Sequence, residues 1–337
     1  MSKFYKILFF TTLISGSLIA VSSTSWIMMW VGLEINLLSI IPLLKDSKSL
    51  FPAEAALKYF IVQAMASNIL LFSVIVNRLT EIYSPYTLTE NFSSEIMLTS
   101  LLIKMGAAPF HAWLPEVIEG LSWNNSAIML IWQKIAPMVM VFYNNMESFL
   151  IPSTIISSAL VGSILGLNQI SLRKILAYSS INHIAWMLGS ILNSWSIWLM
   201  YFLTYAVITV SIMAILKENQ IFLLSQIPLL FKQSKLLKFL FSMNFLSLSG
   251  MPPFLGFLPK WLTISFLVQK NLMMLSMVLI LTTLITLFFY LRIIFSALIL
   301  SSQESKQTLV NKLKISWEFM FWNFIALAML LSCTFIF

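Results

Sequence analysis

Gly250-Met251-Pro252-Pro253-Phe254-Leu255-Gly256-Phe257-Leu258-Pro259-Lys260 interrupts a long apolar run with three prolines, two glycines and a charge. An earlier stretch, Gly106-Ala107-Ala108-Pro109-Phe110-His111-Ala112-Trp113-Leu114-Pro115-Glu116, repeats it at the glycine, both matching prolines, the phenylalanine and the leucine, with an aromatic pair at Trp113 and Phe257. Two apolar segments broken by glycine and proline at corresponding places point to an internal repeat of the transporter kind, in which discontinuous helices meet near the bilayer midplane. The competing reading is a pair of proline-kinked helices with no further meaning.

Composition decides the class of protein in which this pair sits. Of 337 residues 59% are hydrophobic and 9% charged, against about 25% charged in a soluble globular domain. A bilayer core of about 30 Å takes roughly 20 apolar residues per helix. Apolar runs at residues 4–21, 25–44, 54–77, 94–119, 122–144, 149–169, 173–193, 195–216, 236–269, 271–299 and 315–336 predict about eleven transmembrane helices, the fourth and ninth broken. The fold class expected is an all-α polytopic membrane protein forming one membrane domain over residues 1–337. An odd number of spans per repeat inverts the second copy. The repeats are therefore placed at residues 1–145 and 146–300, with a loop and last helix at 301–337. The stretches 78–93 and 217–235 read as connectors. Trp26, Trp30, Trp195, Trp198, Trp317 and Trp322 lie near span ends and read as interfacial aromatics.

The net charge of +8 does not form a patch, so nucleic acid is not an expected partner. Lys3, Lys6, Lys45, Lys48, Arg173, Lys174, Lys217, Lys232, Lys235, Lys238, Lys306, Lys312 and Lys314 fall on the side of the N-terminus, and Arg78 and Lys270 on the other. The positive-inside rule then puts the N-terminus in the cytoplasm or the matrix. The basic, apolar start MSKFYKILFF reads as a retained first span rather than a signal peptide. Abundant Phe and Met beside only nine Gly fits AT-rich coding of the organellar kind.

Five basic residues and one acid remain inside apolar runs: Lys58, Lys104, Lys134, Lys260, Arg292 and Glu34. A charge at the bilayer centre costs at least about 2.5–3.5 kcal/mol and marks an ion or proton path unless the side chain can snorkel. Glu34 and Lys134 are mid-span, Lys104 precedes the first break, and Lys260 closes the second. Pro137, three positions past Lys134, frees a backbone carbonyl that a lysine or water can use. Lys58 and Arg292 lie closer to span ends, where snorkelling competes. His111, within the first break, and His183, beside Ser179, Ser180 and Asn182, look more like relay residues than metal or haem ligands. Glu116 and Glu119 are a path entrance or a solvated helix end. Cys333 is the single cysteine, too few for an iron–sulfur cluster held by this chain. No phosphate loop or dinucleotide fingerprint is present, so no bound cofactor or metal is expected.

At these residues the sequence resembles the antiporter-like membrane-arm subunits of respiratory complex I. The pieces carrying the resemblance are Lys104 to Glu116, Trp132-Gln133-Lys134-Ile135-Ala136-Pro137, Arg173-Lys174-Ile175-Leu176-Ala177-Tyr178-Ser179-Ser180-Ile181-Asn182-His183-Ile184-Ala185-Trp186, and Gly250 to Trp261. Their order and spacing agree over almost the whole chain. The resemblance implies a proton-translocating subunit in the mitochondrial inner membrane, N-terminus in the matrix and C-terminus in the intermembrane space, in the short form without three extra N-terminal helices. It implies a proton path through Glu34 paired with Lys104, then Lys134, then Lys260, to which the reading of the residues themselves adds Lys58, Glu116, His111 and His183 as possible relays. It also implies partners: further antiporter-like and other membrane-arm subunits, lipids, and subunits that carry FMN, iron–sulfur clusters and ubiquinone. Ala185 stands where many relatives have glycine, and the second repeat has no acid matching Glu34. Buried charges and a repeat would equally suit a stand-alone cation/proton antiporter.

Overall fold

A computed structural model of the chain describes residues 2–45, 50–83, 87–144, 149–192, 194–230, 235–252 and 254–298. The eleventh span, Trp317, Trp322, Cys333 and the basic residues Lys48, Lys232, Lys306, Lys312 and Lys314 lie outside the described residues. So does Pro253 of the second break.

The described chain is helical, with no strand beyond a single bridge between Ser171 and Leu223. In order come α1 (Ser2–Ser22), α2 (Trp26–Leu44), α3 (Phe51–Tyr83), α4 (Thr87–Met105) and α5 (Trp113–Gly120). A continuous helix follows, made of α6 (Trp123–Ala127), a π turn (Ile128–Trp132) and α7 (Gln133–Tyr143). Then come α8 (Leu150–Leu167), α9 (Leu172–Ile191), α10 (Trp195–Glu218), a 3₁₀ turn (Leu224–Gln226), α11 (Ile227–Leu230), α12 (Lys235–Ser249), α13 (Phe257–Gln269) and α14 (Met273–Leu298).

Seven of these helices are long and apolar enough to cross a membrane: α1, α2, α3, the α6–α7 helix, α8, α10 and α14. Of the broken spans, α5, α12 and α13 are too short and α4 carries Glu90, Glu95 and Lys104, while α9 carries Arg173, Lys174, Asn182 and His183. Large apolar side chains point outward as well as inward. Phe72 on α3 is 58% exposed and Phe288 on α14 is 64% exposed, as expected where lipid replaces water as the solvent. The protein is a polytopic all-α membrane protein.

Two compact units are formed. One holds the residues up to Val161 together with Ser180–Leu188; the other holds Gly162–Ser179 and the residues from Gly189 on. In the first, α1 and α2 cross at very close range because Gly16 and Gly32 face each other: a Cβ on Gly32 would lie 2.6 Å from the Ala20 nitrogen and 2.8 Å from the Gly16 carbonyl. Small residues are what let transmembrane backbones approach this far. The second unit is built around Phe241, Phe245 and Tyr290, with ring centroids 4.8 and 5.7 Å apart.

Three sequence expectations change. The connector over residues 78–93 shrinks, because α3 runs on to Tyr83 and α4 begins at Thr87. Hydropathy marks where a helix leaves the apolar layer, not where its hydrogen bonding stops, and 33 residues extend about 50 Å at 1.5 Å each. The loop over 217–235 contains α11 and a 3₁₀ turn. Two of the tryptophans read as interfacial also pack against protein: the half-buried Trp30 donates its indole N–H to the Ser67 carbonyl at 3.2 Å, and Trp198 is 3% exposed against Phe202.

Candidate functional site

Both breaks are made by the same backbone device. α4 ends at Met105, and Gly106 takes φ +73°; α12 ends at Ser249, and Gly250 takes φ +79°. Each glycine N–H bonds back to the third carbonyl before it, Ile103 or Ser247, and the next N–H to the fifth, Leu102 or Leu246. This is a Schellman end, which needs a left-handed residue and hence glycine. It leaves the last carbonyls of each helix open inside an apolar layer, where an unsatisfied group is costly.

The two breaks close those carbonyls differently. At the first, Gln63 on α3 donates to the Lys104 carbonyl at 3.3 Å, and the Trp113 indole at the start of α5 donates to Ile103 at 3.1 Å. Ser157 of α8 donates to the loop carbonyl of Ala108 at 2.9 Å. At the second, the lysine itself serves: Lys260 Nζ donates to Ser249 at 2.8 Å and to Leu248 at 3.3 Å. A Cβ on Gly250 would lie 2.7 Å from Lys260 Cδ, and one on Gly256 would collide with the Ser247 carbonyl. Gly256 is therefore required by close approach, and Gly250 by its left-handed φ.

Lys104, 6% exposed, lies beside a cavity of about 10 Å³ lined by Leu33, Asn36, Tyr59, Gln63 and Gln133 among others, roughly the room of one water molecule. Asn36 and Gln133 exchange two amide hydrogen bonds of 3.1 Å, and the Tyr59 hydroxyl donates to Gln133 Oε1 at 3.3 Å. The cavity is thus lined by an ammonium, three carboxamides and a phenol. Gln133 is followed directly by Lys134, which is 1% exposed and donates through Nζ to the Ser180 carbonyl on α9 at 3.3 Å. A π turn ends just before this pair, and such turns recur at functional sites because they rotate the following side chains. Lys134 thus finds an acceptor on a neighbouring helix, besides the carbonyl that Pro137 frees for a lysine or water. Lys260 belongs to the other compact unit.

The remaining candidates fall as follows. Lys58 bridges Glu54 at 3.1 Å and Glu116 at 3.0 Å, all three well exposed, so it ties α3 to α5 rather than snorkelling alone. Glu34 is only partly buried and forms no ion pair within 4 Å among the described residues. The expected direct pair with Lys104 is therefore not formed among the described residues. The reason is helix rotation: Leu33, Asn36 and Leu37 line the cavity, whereas Glu34 shares the outer side of α2 with Leu38, 60% exposed. His183 is buried within α9, every residue of which from Ser179 to Ile191 is buried. His111 is half-buried in the first break with Nδ1 3.2 Å from the Pro109 carbonyl oxygen. Arg292 donates to Leu167 and Gln169 at 2.9 and 2.6 Å, capping α8 as cations do at helix C-termini.

Asn36, Tyr59, Gln63 and Gln133 were not singled out from sequence. A search confined to charges passes over carboxamides and phenols in apolar runs, although each is also costly to bury without a partner; counting every polar side chain within a span would have found them.

The model of the NADH:quinone oxidoreductase/Mrp antiporter transmembrane family matches residues 23–286. The NADH-ubiquinone oxidoreductase chain 2 of Anopheles gambiae is 44% identical over 100% of this chain and 99% of its own length. That of Symphalangus syndactylus is 38% identical over 92% and 89%. Among solved structures, a chain of respiratory complex I from Thermus thermophilus with bound aureothin matches at TM-score 0.86 and 23% identity, over 98% of this chain and 79% of that one. A chain of the Mrp complex from Dietzia sp. matches at TM-score 0.81 and 16% identity, over 96% and 74%.

Proposed function

The chain belongs to the NADH:quinone oxidoreductase/Mrp antiporter transmembrane family, in its NADH-ubiquinone oxidoreductase chain 2 branch, and from that premise we propose how its buried residues serve proton transfer. It is a proton-translocating membrane-arm subunit of respiratory complex I, part of an enzyme that oxidises NADH and reduces ubiquinone. Protons pass by way of Lys104, Lys134 and Lys260, with Glu34 setting the charge balance at Lys104 from a distance. The observation that carries this reading is the set of three lysines buried to 6%, 1% and 6% exposure within apolar runs, with backbone carbonyls as acceptors for two of them. A neutral carbonyl accepts from a lysine in either protonation state, as a proton relay requires.

Asn36, Gln133 and Tyr59 orient one water-sized site next to Lys104, which hands protons toward Lys134. Lys58 with Glu116, His111 and His183 are further relay positions. FMN, iron–sulfur clusters and ubiquinone are held by partner subunits, and the partners in the membrane include further antiporter-like subunits. Eleven spans in two inverted repeats, residues 1–145 and 146–300, with the last span in 301–337, follow from the twin breaks. Contacts at helix ends support that alternation. Asn125 reaches Leu43, Asn144 reaches Ser94, Arg292 reaches Leu167, and Lys270 reaches Leu192, and each pair lies on one side in this count. The membrane is the mitochondrial inner membrane, with the N-terminus in the matrix and the C-terminus in the intermembrane space.

The test is Lys134→Arg. A guanidinium keeps the fixed charge but does not release its proton at any working pH. The variant complex should assemble and lose most NADH-driven, inhibitor-sensitive proton movement per quinone reduced in reconstituted vesicles. A normal proton-to-electron ratio would reduce Lys134 to a fixed electrostatic element. Cation transport by the purified chain alone would favour an antiporter that works without partners.

A further inference from the structure

At the N-terminal ends of α1 and α6 and the C-terminal end of α2 the first unit carries a groove of about 440 Å³ that the proton path does not use. Lys6 comes from the second turn of α1 and Lys45 from the residue that ends α2. Ser122 and Asn124 come from the start of the α6 helix. The three ends are held together by Asn125, whose Nδ2 donates to the Leu43 carbonyl at 3.1 Å. Both lysines are exposed, and neither has an ion-pair partner among the described residues. The other wall is apolar: Ile7 and Phe10, on α1, are 61% and 44% exposed.

Two ammonium groups on different helices, a hydroxyl and a carboxamide converge over an apolar strip that descends along a transmembrane helix. An inorganic anion would use the polar half and leave Ile7 and Phe10 bare. A zwitterionic headgroup would bring a cation to two lysines. We propose that this groove seats the phosphate of an anionic phospholipid between Lys6 and Lys45, with an acyl chain lying over Ile7 and Phe10. The site depends on the chain being in a membrane and is independent of which residues carry protons. Basic pockets between helix ends bind such headgroups on general electrostatic grounds.

The experiment reconstitutes the intact complex into vesicles containing either phosphatidylglycerol or phosphatidylcholine with the same photoactivatable acyl chain, then maps labelled peptides by mass spectrometry. Labelling of the α1 peptide bearing Ile7 and Phe10 should be strong from phosphatidylglycerol, weak from phosphatidylcholine and unchanged by excess inorganic phosphate. A lysine near an anionic headgroup contributes about fivefold in affinity, so Lys6→Gln with Lys45→Gln should weaken labelling about 30-fold. Lys6→Arg with Lys45→Arg should preserve it. Equal labelling by the two lipids, displacement by phosphate alone, full labelling of the double glutamine variant, or no labelling of α1 by either lipid would each overturn the proposal. The last result would mean that another chain covers the groove. The comparison of the two lipids on the unaltered complex requires no variant to assemble.

Discussion

Lys260 does two jobs at once: its ammonium closes the carbonyls of Leu248 and Ser249 that the second break leaves open, and it stands in the proposed path. The two roles can be separated by substitution. Lys260→Leu removes the donor and leaves two buried carbonyls unmet, each worth about 1–3 kcal/mol, so the complex should lose thermal stability as well as proton transfer. Lys260→Gln retains an amide donor of shorter reach and should recover part of the stability while remaining inactive in proton transfer. Melting of the purified complex and vesicle acidification measured on both variants decide this. Equal melting temperatures would mean that the carbonyls find other donors. At Lys134 the corresponding question is charge against proton release, which the arginine substitution answers. Glu34 belongs to a different case, since no ion pair joins it to Lys104 among the described residues.

Among the elements, the α1–α2 crossing sets where Asn36 sits, one helical turn beyond Gly32. Gly16 approaches the Asn36 nitrogen as well: a Cβ there would lie 2.9 Å from it. Gly32→Leu must therefore force the two backbones apart. Overpacking of this kind costs about 1–3 kcal/mol, and here it would also carry Asn36 away from Gln133 and open the amide pair beside Lys104. The expected outcome is a less stable complex whose proton-to-quinone ratio falls although no proton-path residue has changed. Gly189→Ala makes a fair control, because a Cβ there meets nothing closer than 3.6 Å. If Gly32→Leu and Gly189→Ala behaved alike, the close crossing would have no functional weight. The α6–α7 helix shows the same linkage of element and site, with its π turn immediately ahead of Gln133 and Lys134.

For the whole molecule, the distribution of lysines and arginines predicts orientation. Lys270 lies in the turn between α13 and α14, bonded to the Leu192 carbonyl at the end of α9, and is one of two basic residues assigned away from the N-terminus. An impermeant amine-directed or cysteine-directed label, the latter on a Lys270→Cys variant, should react in intact mitoplasts, whereas a label placed at Ser2 should react only after the membrane is opened. The reverse pattern would refute the count of spans. Phe337, at the far end, offers a second probe expected on the same side as Lys270.

Hydropathy over about twenty residues is a property of the chain alone, so the seven long apolar helices within residues 2–298 were legible before any packing was known. The breaks were legible too, since glycine and proline act on their own φ and their own N–H. So were the buried lysines, because no fold makes a charge in an apolar run cheap. What each lysine meets was decided elsewhere. Lys134 finds a carbonyl 46 positions away and Asn36 an amide 97 positions away, and neither separation has a local signature. Glu34 was assigned to Lys104 by resemblance, and the rotation of α2 turned it to the outer side. At about 100° per residue, a register that composition does not encode determines which of Leu33, Glu34 or Asn36 faces the cavity. Tertiary packing sets that rotation, through the close contact of Gly16 and Gly32 and the amide pair of Asn36 and Gln133.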